Sequence, residues 1–183
     1  MSIEESRLTQ SAEKRLMKEL GMMRSEKGLG ITVSLAKTHT GIERLDRWDL
    51  WISGPESSPY EGYVLRARME FPSQYPYQPP KFKFISPVFH PNVYEDGKVC
   101  ISILHTDQDE IIDSDILNST WTPGLNVRTV CISIISLLNE PNIFSAANVD
   151  ASKLYRDDKQ AYEKTVKERL DAAGDRVSVP EEL

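Results

Sequence analysis

Across Glu4 to Arg24 the apolar residues fall at Leu8, Ala12, Leu16, Leu20 and Met23, the spacing of one helix face, with Arg7, Lys14, Arg15 and Lys18 among the remaining positions. Gly28 and Gly30 end that pattern, and the period drops to two. Ile31, Val33 and Leu35 alternate with small or polar residues, and after Thr40-Gly41 so do Trp48, Leu50 and Ile52. From Tyr63 to Phe71 the odd positions Tyr63, Leu65, Ala67, Met69 and Phe71 are apolar, opposite Arg66, Arg68 and Glu70, and Phe82 and Phe84 mark a short fourth strand. Four strands with short connections predict an antiparallel meander whose apolar face needs helices to cover it. Asn126 to Asn139 supplies one: Val127, Val130, Cys131, Ile132, Ile134, Ile135, Leu137 and Leu138 are apolar nearly all round, predicting a buried central helix that Pro141 stops. Two C-terminal helices follow, over Asp150 to Arg156 and Asp158 to Ala173, the second with Tyr162, Val166 and Leu170 on one stripe. The fold class is α+β, a single domain over residues 1–183, with 175–183 as a polar, flexible tail.

Composition narrows the class. The chain has 183 residues, 39% hydrophobic and 27% charged, which fits one soluble domain with one core. Its net charge of −6 lacks the basic excess that phosphate binding needs, so neither nucleic acid nor an anionic membrane surface is expected as a partner. No apolar run reaches membrane-spanning length, and Met1 to Glu13 is too polar for a signal peptide, so an intracellular chain is expected. The excess is local. Asp107, Asp109, Glu110, Asp113 and Asp115 lie together without a Lys or Arg, and elsewhere 23 acids face 22 bases. That segment reads as a solvated loop, a cation site or a surface for a basic partner; it lacks the acid spacing and glycine of a calcium loop. Eight of the eleven prolines fall between Pro55 and Pro91, which makes these connections rigid mounts rather than strands.

Two cysteines make neither a disulfide framework nor a zinc site on their own. Cys131 sits among aliphatics in the central helix and reads as a small core hydrophobe. Val99, Ile101 and Ile103 alternate inward around Cys100 and turn it outward, as a nucleophile or an incidental surface thiol. Just upstream, His90-Pro91-Asn92 is returned toward Cys100 by the turn Glu95-Asp96-Gly97. A Cys-His hydrolase would use His90 as base, whereas an acyl-transfer site would use the Asn92 amide as an oxyanion donor, and the spacing does not choose. A zinc site from Cys100, His105 and acidic-segment carboxylates is a further reading. His39 has no neighbours that suggest a role.

Taken in order, Tyr75-Pro76-Tyr77-Gln78-Pro79-Pro80-Lys81, Phe84, His90-Pro91-Asn92, Gly97, Cys100 eight residues after Asn92, Trp121-Thr122-Pro123 and Glu140-Pro141-Asn142 resemble a ubiquitin-conjugating enzyme, over about Ser11 to Tyr162. The resemblance implies that Cys100 accepts ubiquitin from an activating enzyme, holds it as a thioester and yields it to a substrate lysine with a RING-type ligase bound. It assigns oxyanion support to Asn92, gives His90 and Pro91 a structural part, and places Ser145 at the gate where many relatives carry Asp. It matches Lys14, Arg15 and Lys18 to the face that meets the activating enzyme, and Tyr77, Thr122 and Pro123 to the ligase loops. No metal or cofactor is implied, ATP being used by the activating enzyme.

The acidic insertion over 106–120 resembles the branch that works with cullin-RING ligases or in endoplasmic-reticulum-associated degradation and builds degradative ubiquitin chains. That likeness implies a cytoplasmic or nuclear protein, recruited to the endoplasmic reticulum through a partner where needed. A non-catalytic ubiquitin-binding module of the same fold, and a conjugating enzyme for a related modifier, are the alternatives.

Overall fold

A computed structural model describes residues 8–106 and 120–174 of the protein. Helix α1 (Gln10–Ser25) starts where the Thr9 hydroxyl accepts the Ala12 amide at 3.2 Å, a cap that contributes about 1 kcal/mol. The helical pattern projected back to Glu4 is therefore cut at Thr9 within the described residues: Leu8 precedes the cap and packs against the core, and residues 1–7 lie outside the described ones. Ala12, Leu16, Leu20 and Met23 form the buried face of α1.

The sheet is an antiparallel meander in the order β1 (Ile31–Lys37), β2 (Glu43–Ser53), β3 (Val64–Glu70), β4 (Lys81–Phe84). Its register aligns Val33, Leu50, Ala67 and Phe84 in one row across all four strands, with Ile31, Ile52 and Leu65 in the next inward row. These rows are buried, and α1 packs on β1 and β2. The opposite face is polar, with Arg68 paired across the strands to Asp49 at 2.8 Å. The expected alternation in β1 fails at its end. The register shifts between Leu35 and Ala36, where the partner jumps from Trp48 to Arg44 and three β2 residues, Leu45, Asp46 and Arg47, are left without a β1 partner. Past the shift Ala36 takes the buried place, while Leu35 is half exposed.

Helix α2 (Val127–Asn139) is capped by the Asn126 side chain, which accepts the Thr129 amide at 3.0 Å. It buries Val127, Val130, Cys131, Ile134 and Leu138, but Ile132 is 39% exposed, so the helix is not enclosed on every side as its composition suggests. Helices α3 (Val149–Asp157) and α4 (Lys159–Ala173) meet at Asp158, whose carboxylate caps α4. The α4 stripe has a positional consequence: the buried hydroxyls of Tyr162 and Tyr60 both donate to the Phe89 carbonyl, at 3.2 and 2.8 Å. The segment leading into His90 is thus pinned from beneath. Among the described residues no helix is long and apolar enough to cross a membrane.

Candidate functional site

After β4 the chain folds into a tight hairpin. Val93 bridges Val99, the Tyr94 amide donates to the Lys98 carbonyl at 2.9 Å, and the Gly97 amide donates to the Tyr94 carbonyl at 2.8 Å. Gly97 has φ of 88°, and a Cβ there would stand 2.2 Å from the Phe84 carbonyl oxygen, so position and conformation both demand glycine. The hairpin closes on the Cys100 amide, which donates to the Asn92 carbonyl at 2.9 Å. The expected return of the chain to Asn92 is observed. Beyond Cys100 the inward alternation does not continue as a strand: Ser102–Leu104 forms a 3-10 turn, with Val99 and Ile103 buried and Ile101 half exposed.

The two thiols have opposite environments. Cys100 is half exposed, whereas Cys131 is enclosed and burial pushes its thiol up to about 12. Tyr94, which the sequence did not mark, lies against Cys100. Its electrostatic interaction with the Cys100 side chain, followed by partial burial and a hydrogen bond to that side chain, raises its phenol above the ordinary value. Hairpin alternation, which turns positions 94, 98 and 100 to one face, is the signal that could have found it.

His90 is fully buried. Its Nδ1 accepts the Asn92 amide at 2.9 Å, so Nε2 carries the proton and donates to the Leu137 carbonyl at 2.8 Å. Burial drives its pKa down to about 4, partly opposed by the Leu137 bond. With both nitrogens engaged, His90 has no lone pair to offer Cys100, and the hydrolase reading loses its base. A pH dependence follows. The unfolded imidazole binds a proton below about pH 6.5 and the folded one only near pH 4. Stability from this group is therefore complete above pH 6.5 and falls by about 2 kcal/mol on going down to pH 5. Denaturant unfolding at pH 7 and pH 5 checks it: His90→Gln should show a shallower slope with pH than the parent, whatever its own stability.

The Asn92 side chain is a clamp. Its amide nitrogen donates to the Asn142 carbonyl at 2.7 Å and to the Ser145 carbonyl at 2.9 Å, while its oxygen accepts the Asn142 amide at 2.8 Å. The far end of the same loop is tied to Pro91, whose carbonyl accepts the Asn148 amide at 2.9 Å. Between these ties Ser145 is exposed and Phe144 is 95% exposed, its amide turned back on Asn142 Oδ1. The expected oxyanion donor thus has both hydrogens on the loop in this conformation. His90, Pro91, Asn92, Cys100 and Ser145 are joined through Asn92, whose carbonyl accepts the Cys100 amide, whose amide is held by His90 and whose side chain holds the loop that bears Ser145.

Lys14 and Lys18 are exposed on α1, but Arg15 is half buried and already engaged. Its Nε donates to Glu19 and its terminal nitrogen to the Leu125 carbonyl at 2.8 Å. The buried Glu19 carboxylate also accepts the Tyr75 hydroxyl and the Val127 amide, the latter at 2.7 Å, placing negative charge at the start of α2 where the helix dipole favours it. This knot joins α1, α2 and the proline loop through Glu19, which the sequence did not mark. Tyr77 is 71% exposed, and Thr122 and Pro123 are exposed on the neighbouring loop. Trp121 fastens the two loops together by donating its indole N–H to the Pro76 carbonyl at 2.7 Å. The Trp121 amide donates to the His105 carbonyl at 2.8 Å, which closes the base of the acidic insertion. Asp107, Asp109, Glu110, Asp113 and Asp115 lie outside the described residues, and with them the carboxylates of the zinc reading. Among the described residues no three His, Cys, Asp or Glu side chains converge as a metal site.

The sequence model of the ubiquitin-conjugating enzyme family matches residues 15–170. A protein of Encephalitozoon cuniculi named as a probable ubiquitin-conjugating enzyme E2 is 50% identical over 122 residues, which cover 65% of this chain and 56% of that one. A ubiquitin-conjugating enzyme E2 of African swine fever virus is 45% identical over 144 residues, 74% of this chain and 64% of the viral protein. Human ubiquitin-conjugating enzyme E2 G2 is 39% identical over 158 residues, 86% of this chain and 93% of the human one. The chain therefore spans less than two thirds of the first two relatives and nearly the whole of the third.

Proposed function

The chain belongs to the ubiquitin-conjugating enzyme family, and on that premise we propose that it carries ubiquitin on Cys100 and delivers it to lysine. The observation that carries the proposal is the contrast between the two thiols, Cys100 open beside the Asn92-clamped loop and Cys131 sealed in the core. The Cys100 thiolate attacks the C-terminal carbonyl of ubiquitin held as a thioester on the activating enzyme; that enzyme's sulfur leaves and the acyl group passes to Cys100. A substrate lysine amine then attacks the same carbonyl, the C–S bond breaks, and an isopeptide forms.

A thioester is already activated, so the site has chiefly to orient and desolvate the amine. That requirement suits a centre whose histidine is neutral and fully bonded. Asn92 fixes the loop that bears Ser145, and contact with the reacting oxyanion requires it to release one of its two carbonyls. Lys14 and Lys18 offer two exposed cations of α1 to the activating enzyme, with Arg15 shaping the helix from within. Tyr77, Thr122 and Pro123, stitched together through Trp121, form the surface for a RING-type ligase, and the acidic insertion serves the building of degradative ubiquitin chains. An accessible Cys100 disfavours the non-catalytic module. Incubation with ATP and a panel of ubiquitin-like modifiers, each with its own activating enzyme, tests the reading. A reductant-sensitive adduct is expected with ubiquitin, and charging by another modifier alone would redirect the assignment.

A further inference from the structure

The hairpin that carries Cys100 also carries an amine on the same side. Gly97 and Val99 are buried while Lys98 and Cys100 face outward, Lys98 with its side chain 70% exposed. The backbone between them is held extended, because the Lys98 carbonyl accepts from Tyr94 and the Cys100 amide donates to Asn92. In such a segment two residues of one face stand about 6.6 Å apart along the strand, within the span of a lysine side chain. The amine is tethered at present: Lys98 Nζ pairs with Asp96 Oδ2 at 3.0 Å, and the Lys98 amide donates to Asp96 Oδ1 at 3.0 Å, which draws the side chain toward the hairpin tip. Lys83 of β4 lies directly across from Lys98, so Asp96 balances two cations.

We infer that Lys98 is an acceptor in cis, taking the acyl group from Cys100 of its own chain when no outside lysine is presented, and that Asp96 restrains this transfer. The inference rests on the thioester reading above. Lys98 Nζ gives its proton to solvent and attacks the thioester carbonyl. The Cys100 sulfur leaves and is reprotonated, and an isopeptide joins ubiquitin to Lys98. Nothing but the charged chain is consumed, and neighbouring groups on one rigid hairpin need no ligase to meet. The product leaves ubiquitin beside the emptied thiol, where it obstructs recharging.

The test uses the full chain, charged with ubiquitin in a single turnover and left without ligase or added amine. Loss of thioester is followed together with the growth of a reductant-resistant conjugate, and the attachment point is mapped by mass spectrometry. The diglycine remnant is expected on Lys98, at a fractional rate independent of protein concentration. Lys98→Arg should charge normally and lose that conjugate, and Asp96→Asn should speed its formation about two- to fivefold, the scale of an exposed ion pair. A normal thioester with the remnant on Lys83 or elsewhere, a conjugate undiminished in Lys98→Arg, or a fractional rate that rises with concentration overturns the inference and leaves the thioester reading standing. Absence of any thioester overturns both.

Discussion

Asn92→Ala is expected to slow lysine discharge from the charged protein by about 100-fold and to lower unfolding stability by about 2–3 kcal/mol. Both effects trace to one amide. It holds the carbonyl and the amide of Asn142 together and reaches on to the Ser145 carbonyl, so three backbone groups lose their partner at once. The stretch between Asn142 and Asn148 would keep its ties at Pro91 and Glu95 through Asn148 and the long Ser152 hydroxyl contact to the Ile143 carbonyl. The segment bearing Ser145 would lose its anchor to the residue whose carbonyl holds Cys100. Asn92→Asp tests the donors specifically. It keeps an acceptor for the Asn142 amide but sets a carboxylate oxygen against two carbonyls, so it should be no more stable than the alanine variant. Single-turnover discharge together with denaturant unfolding reads both consequences. Full stability with slow discharge would assign the amide to the reacting carbonyl instead of to the loop.

The meander was legible because period-two alternation in β2 and β3 survives with one face fully buried, from Trp48 through Ile52 and from Leu65 through Met69. Leu35 misled for a local reason: a register shift is a property of how two strands pair, and nothing in Leu35-Ala36 announces it. The neighbourhood of Cys100 was readable from the turn that returns the chain to Asn92, but the function of each neighbour was not. Spacing left His90 as a base or a support, and the choice came from the Leu137 carbonyl, 47 residues away, which takes the proton a base would need to exchange. Glu19 was hidden in the same way, since a helix acid looks solvated until Tyr75 and Val127 are brought onto it. Arg15, grouped by sequence with Lys14 and Lys18, is separated from them by that carboxylate. Family motifs located the thiol, whereas the electrostatics around it are set by long-range contacts that no local pattern encodes.

The central claim is that one sulfur carries the chemistry, and exchanging that sulfur for oxygen tests it. The parent protein, incubated with activating enzyme, ATP and ubiquitin, should form an adduct that thiol reductant cleaves. Cys100→Ser should form a slower adduct, an oxyester that survives reductant, because a hydroxyl is a poorer nucleophile and its ester does not exchange with thiols. Cys100→Ala should form none. Cys131→Ala should charge as the parent does, since burial already denies that thiol both access and the thiolate form. A reductant-resistant adduct of Cys100→Ser with no adduct of Cys100→Ala is the predicted result; a reductant-sensitive adduct that persists in Cys100→Ala would contradict it.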